Sequence, residues 1–260
     1  MPDKYLCEVA SVNEIAQGVV AISVVGEVLA RNARPGQFLH IKCGSERLLR
    51  RPFGISNVRG DVLDFVFEVK GGGTKWLSEI KPGQLLDILG PLGNGFTFPE
   101  GRIIVVGGGL GSPPMLFAAR AAKGGATAVL GFRENSRVIM VREFTSVCEN
   151  VYLTTDDGSA GLHGQVTAPL RELLVEGGFD AVLACGQLAM QREVAILCDQ
   201  YNVPCQVSME ERMGCGIGAC LVCVCSTVSK DENTATSGSV AHMSRVCVDG
   251  PVFDAREVVW

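Results

Sequence analysis

Long apolar runs and an excess of positive charge are missing from this chain of 260 residues and histidine is scarce, and each shortage removes a class of function. No apolar stretch approaches the ~18 residues of a membrane-spanning helix, so no membrane span is expected. The opening Met1-Pro-Asp-Lys-Tyr-Leu-Cys7 lacks the basic and apolar regions of an export signal, and a cytoplasmic location is expected. Acidic residues outnumber basic ones, 28 to 23, and the net charge of −5 argues against a nucleic-acid surface. The three histidines, His40, His163 and His242, stand apart in sequence and read as structural or surface residues. No internal repeat is found. A content of 47% hydrophobic and 20% charged residues fits a chain with a sizeable core, divided into two domains with an appendage.

Cysteine and glycine, by contrast, are plentiful. Eleven cysteines, an odd number without an export signal, fit a reducing compartment in which thiols stay free to bind metal. Four of them carry the strongest signal in the chain: Cys215, Cys220, Cys223 and the distant Cys247 have the C-x4-C-x2-C…C spacing of a plant-type [2Fe–2S] cluster. Gly216 and Gly218 suit a loop that must turn its amides inward toward sulfur. A structural zinc site is the main alternative, but zinc favours paired C-x2-C knuckles and only one such pair exists here. Inert buried thiols are the other. Cys225 reads as a spare because its use would break the x2 spacing. Cys7, Cys43, Cys148 and Cys198 read as small buried apolar residues.

The expected fold class is β followed by α/β. From Tyr5 to Phe98, short runs such as Val19 to Val25, Gln37 to Ile41, Val62 to Val69 and Leu85 to Ile88 alternate with turn signals, which suggests a small antiparallel barrel over residues 1–99. After Gly90-Pro-Leu-Gly-Asn-Gly95 and Pro99 the rhythm becomes strand, loop, helix. Strands are expected at Arg102 to Val106, Thr127 to Gly131, Val151 to Thr155, Ala181 to Ala184 and Cys205 to Ser208, and helices at Ser112 to Lys123, Leu170 to Glu176 and Met190 to Tyr201. That alternation implies a parallel sheet covered on both faces, over residues 100–208. Residues 209–260 carry the cluster cysteines and a polar stretch, Ser229 to Ser239, expected to be a loop.

Three glycine- or proline-marked loops carry the remaining chemistry. Gly107-Gly-Gly-Leu-Gly111-Ser-Pro-Pro114 lies between a buried strand and a helix, where a dinucleotide pyrophosphate meets a helix N-terminus; position supports this more than the letters, which do not satisfy G-x-G-x-x-G. After the next strand, Arg133 and Glu134 offer partners for a ribose 2′-phosphate or 2′-hydroxyl, leaving NAD or NADP open, with Glu134 favouring NAD. In the barrel, Arg51-Pro-Phe-Gly-Ile-Ser56 places a cation beside a fixed turn and an aromatic ring, and Lys70-Gly-Gly-Gly-Thr-Lys-Trp-Leu77 is a second anion cradle ahead of a short helix. Each also reads as an ordinary turn.

With these motifs in this order, the whole chain resembles the ferredoxin reductase superfamily, and within it the iron–sulfur electron-transfer subunits of NAD-linked dihydroorotate dehydrogenases. Thr155-Asp-Asp-Gly-Ser159, Gly161, Gly164 and Cys185-Gly186 complete the match. The resemblance implies FAD held by Arg51, Pro52, Phe53, Ser56, Gly72, Gly73 and Thr74, a nicotinamide nucleotide held by Gly107, Gly109, Gly111, Cys185 and Gly186, and a [2Fe–2S] cluster on the four cysteines. It implies no acid–base catalytic residue. It also implies a separate FMN-containing catalytic subunit, in a heterotetramer of two copies of each, that supplies electrons from dihydroorotate in pyrimidine biosynthesis. One departure stands out: superfamily reductases commonly place a serine or threonine where this chain has Gly54. The competing expectations are a reductase subunit serving a ferredoxin, hydrogenase or sulfide partner, and a zinc-organised nucleotide-sensing module.

Overall fold

The computed structural model describes residues 3–229 and 240–260. The first layer is built from β1 (Lys4–Ala16), β2 (Val19–Val25), α1 (Glu27–Asn32), β3 (Phe38–Ile41), β4 (Arg51–Arg59), β5 (Val62–Glu68), α2 (Gly72–Ser78) and β6 (Leu85–Leu92). Its strands close into an antiparallel barrel in the order β1-β2-β5-β4-β3-β6. Period-two alternation explains the closure: in β6, Leu86, Ile88 and Leu92 are buried while their neighbours reach outward. The short β3 is buried at every position because it faces two interiors. Leu39 and Ile41 point into the barrel core, whereas Phe38 packs on the core of the second layer.

The second layer follows as β7 (Ile103–Gly108), α3 (Ser112–Ala121), β8 (Ala126–Phe132), α4 (Val141–Thr145), β9 (Asn150–Thr155), β10 (Leu162–His163), α5 (Thr167–Glu176), β11 (Ala181–Cys185), α6 (Leu188–Gln200) and β12 (Cys205–Ser208). The last segment adds β13 (Val224–Ser229), β14 (Val240–Arg245) and β15 (Val252–Asp254). The sheet order is β10-β9-β8-β7-β11-β12-β15. All its pairings are parallel except that of β15, which runs antiparallel to β12. Ile103 to Val106 have no exposed surface, as a strand covered on both faces requires. One core lies between the sheet and α5 and α6, another beneath α3 and α4.

The expected parallel sheet is thus present, with an antiparallel edge strand lent by the cysteine-rich segment. β15 has three residues and a weak sequence signal. β4 is also more than the turn its proline suggests: Pro52 sits at the second strand position, where the missing N–H disturbs the ladder least. Helix α5 begins at Thr167 rather than Leu170 because Pro169 occupies the first turn, whose N–H groups have no helical partner anyway. The polar stretch expected as a loop lies, from 230 to 239, outside the described residues. No helix among the described residues is long and apolar enough to cross a membrane.

The cysteine-rich segment is wedged between the other two layers. Asn94, just past β6, receives the far end of the segment: its amide N–H donates to the Gly250 carbonyl at 2.6 Å and its side chain to the Val248 and Asp249 carbonyls at 3.2 and 2.9 Å. With β15 on the sheet, these contacts place the cysteine loop against the barrel.

Candidate functional site

Two arginines lie across the glycine loop that opens α2. A Cβ added to Gly72 would meet the Arg47 guanidinium at 2.5 Å, and one added to Gly73 would come within 3.2 Å of Arg51 Nε. Arg51 is aimed by donating Nη1 to the Leu49 and Arg50 carbonyls at 2.8 and 3.1 Å. Glycine amides beneath two guanidiniums form a cradle for a pyrophosphate, which suits a dinucleotide flavin. Thr74 Oγ1 is occupied within the loop: it accepts from the Lys70 and Gly71 amides at 2.9 and 3.1 Å and donates to the Gly71 carbonyl at 3.0 Å. It therefore shapes the cradle. Arg50 serves the barrel instead, pairing with Asp87 at 2.7 Å. Arg47 carried no motif of its own; its only signal was its place three residues ahead of the Arg50-Arg51 pair.

Along β4 the predicted residues divide between two faces. Phe53 points into the barrel, where its ring lies 5.4 Å from Phe65 and 5.3 Å from Phe67, so it stiffens the strand from behind. Ser56 is fully buried and its hydroxyl has no hydrogen-bond partner among the described residues, an orphaned polar atom on β4. Gly54 is explained by the second layer. A Cβ there would lie 2.8 Å from Pro114 Cγ, because the N-terminus of α3 docks directly on β4. The hydroxyl common in the superfamily has no room at this position, and Ser56 is the nearby hydroxyl that remains.

A cleft of about 580 Å³ opens between the barrel and the C-terminal ends of the parallel strands. This is where open α/β sheets bind ligands. Gly109, Gly111 and Gly186 line it, as do Gly108, Asp156, Met190 and Glu210. Gly111 is required by contact with the Cys185 carbonyl, which leaves no space for a side chain. Gly107 lies outside the cleft and faces the start of α3, where a Cβ would sit 2.7 Å from Ser112 Cα. Cys185, expected at the nucleotide, is not part of the lining and lies buried behind Gly111: burial, then the Glu210 charge, push its thiol up to about 12, with Ser208 opposing. Glu210 is itself raised by burial, with Lys70 opposing.

Two features of this cleft escaped the sequence. The first is Gln191 of α6, fully buried, whose amide donates to the Gly186 carbonyl at 2.7 Å and the Ser208 carbonyl at 3.0 Å and so ties the loop after β11 to β12. A lone glutamine on a helix gives no warning of such a role. The second is the acid: the Glu134 carboxylate is turned aside to accept the Ser136 hydroxyl at 2.6 Å, while Asp156 at the end of β9 reaches the cleft. Across the mouth, Glu68 of the barrel binds Lys70 at 2.9 Å and Arg137 of the sheet layer at 2.6 Å, joining the two walls.

The four spaced cysteines form two touching pairs. The Cys215 thiol lies beside that of Cys220, and the Cys247 thiol beside that of Cys223. Inward amides serve the sulfurs: Ile217 and Ala219 donate to Cys215 Sγ at 3.4 and 3.3 Å, and Gly218 to Cys247 Sγ at 3.2 Å. Gly216 and Gly218 supply this with φ of +73° and +80°. Burial raises Cys215, but these amides and Cys220 win and bring it down to about 7. Burial and the neighbouring Cys223 push Cys247 up to about 12. Among the described residues no three His, Cys, Asp or Glu side chains converge as a group for a metal ion. Two thiol pairs with amide donors suit a binuclear cluster with two thiolates per iron. Ile217, Leu221 and Val222 of this loop are exposed, and Leu221 is held at φ +55°. Cys225 is buried two residues beyond Cys223.

Residues 210–259 match the family model described as the iron–sulfur cluster binding domain of dihydroorotate dehydrogenase B. A protein of Caldanaerobacter subterraneus, named dihydroorotate dehydrogenase B (NAD(+)), electron transfer subunit, is 40% identical over 88% of this chain and 89% of its own. A Bacillus caldolyticus protein of the same name is 38% identical over 96% of each chain. Among solved structures, one from work on flavin-based electron bifurcation by the NADH-dependent reduced ferredoxin-NADP oxidoreductase superposes with a TM-score of 0.85 at 32% identity, over 100% of this chain and 92% of that one. A ferredoxin reductase of carbazole 1,9a-dioxygenase, at 19% identity and a TM-score of 0.65 over 78% of this chain and 67% of its own, shares the fold.

Proposed function

The chain belongs to the family of electron-transfer subunits of dihydroorotate dehydrogenase B, and on that premise we propose that it carries electrons from a dihydroorotate-oxidising partner subunit to NAD⁺. When bound, FAD exchanges electron pairs with nicotinamide and gives them up singly, the unit that a [2Fe–2S] cluster carries. The observation that carries the reading is the convergence of three sites in one chain: the Arg47–Arg51 cradle, the cleft beside Gly111 and Gly186, and the paired thiols of the wedged loop. Arg51 and Arg47 hold the flavin's phosphates over Gly72 and Gly73. The docking of α3 on Gly54 brings the nucleotide cleft against the flavin strand, and Gln191 fixes the loop at Gly186 that borders the nicotinamide. Residues 1–99, 100–208 and 209–260 serve as flavin, nucleotide and cluster segments.

The partner is the FMN-containing catalytic subunit, two copies of each chain forming the assembly, and it docks over the exposed Ile217, Leu221 and Val222. Mixing the two purified subunits with dihydroorotate and NAD⁺ tests this reading. NADH formed only when both are present supports it. NADH formed with a ferredoxin or hydrogenase partner instead replaces it with the rival reductase assignment.

Asp156 selects NAD⁺ by bonding a ribose 2′-hydroxyl and repelling a 2′-phosphate. Asp156→Ser is expected to raise the kcat/KM ratio for NADPH over NADH by about tenfold or more, the worth of one charged hydrogen bond. Steady-state reduction of an artificial acceptor by each nucleotide measures it.

A further inference from the structure

His40 of β3 faces the junction between barrel and cysteine loop. It has no exposed surface, and neither ring nitrogen meets hydrogen-bond geometry with any described protein group. The nearest backbone belongs to the cluster loop. A Cβ on Gly216 would fall 2.6 Å from Nδ1 and 3.2 Å from Cε1 and Cγ, so the ring packs directly on the turn between Cys215 and Cys220. On its other side His40 pairs in the sheet with Pro52 of the flavin strand. The Cys215 and Arg50 backbones lie close to the ring, but neither forms a bond of good geometry with it, and an imidazole presents at least one N–H donor in either protonation state. A buried donor without a well-formed bond is costly, and its retention at this junction points to a further acceptor on the loop side of the ring.

We propose that His40 is a positioning residue for the iron–sulfur centre: from the barrel side it seats the Cys215–Gly216 turn and supplies an N–H hydrogen bond to sulfur held by the loop. Such a bond strengthens as the centre gains an electron, so it raises the reduction potential. The proposal rests on the cluster assignment for Cys215, Cys220, Cys223 and Cys247.

The test uses the anaerobically purified holoprotein as wild type, His40→Leu and His40→Gln, with iron and acid-labile sulfide counted in each. An EPR-monitored redox titration is expected to show a one-electron reduction constant about tenfold lower in His40→Leu, equivalent to 59 mV for a one-electron couple. His40→Gln, which keeps a neutral N–H donor, is expected to stay close to wild type. Equal potentials in wild type and His40→Leu overturn the proposal, as does an equal fall in both variants. Wild-type protein carrying ¹⁵N-histidine gives a reading that needs no folded leucine variant. Pulsed EPR of its reduced centre is expected to show a weakly coupled histidine nitrogen that disappears in His40→Gln, and lack of that coupling in wild type overturns the proposal. A wild type with iron and sulfide but no coupling refutes His40 alone, whereas a wild type without sulfide refutes the cluster assignment and this proposal with it.

Discussion

Replacing Cys220 with alanine is expected to abolish the iron–sulfur centre and all partner-dependent NADH formation while leaving FAD bound and reducible by NADH. Cys220 is the exposed member of the Cys215–Cys220 pair, so its loss removes half the thiolates on one iron without opening the protein core. The cradle proposed for the flavin draws on Arg47, Arg51 and the glycines at the start of α2, none of which depends on Cys220. Absorbance separates the outcomes: the cluster bands and acid-labile sulfide vanish, and NADH still bleaches the flavin band. Loss of both prosthetic groups together would mean that the cysteine loop is needed to hold the flavin.

Arg51→Ala is expected to weaken FAD binding by about 10- to 100-fold, the worth of one charge-assisted hydrogen bond to phosphate. The barrel tolerates the change because, among the described residues, the Arg51 guanidinium is anchored to the neighbouring carbonyls of Leu49 and Arg50. Arg51→Lys should recover part of the affinity, since an ammonium keeps the charge and loses the planar fork. Flavin fluorescence quenching on titration of apoprotein reads both. An unchanged dissociation constant for Arg51→Ala would place the phosphates elsewhere.

Much of this design could be read from the letters. The cysteine spacing pointed to a cluster because coordination geometry constrains spacing more tightly than packing does. The strand-glycine-helix run at Gly107 to Gly111 was legible because it sits where a buried strand ends. What stayed hidden depends on contacts distant in sequence. Gly54 looks like a defect in the flavin motif until Pro114, brought in by α3, occupies the space. Gln191 locks the Gly186 loop through two backbone carbonyls that nothing local announces. Phe53 and Ser56 share a motif yet face opposite sides of β4, and only closure of the barrel decides which of them lies in its core. His40 read as an unremarkable core or surface residue because its significance comes from Gly216, a residue far along the chain.

The most direct test of the account is an anaerobic titration of the isolated chain with NADH, following the flavin band by absorbance and the cluster by EPR in the same sample. Three electrons per chain are expected, two held by FAD and one by a [2Fe–2S] centre. Bleaching of flavin with no EPR signal from an iron–sulfur centre, in protein that contains zinc and no acid-labile sulfide, would contradict the claim that this chain converts paired electrons into single ones.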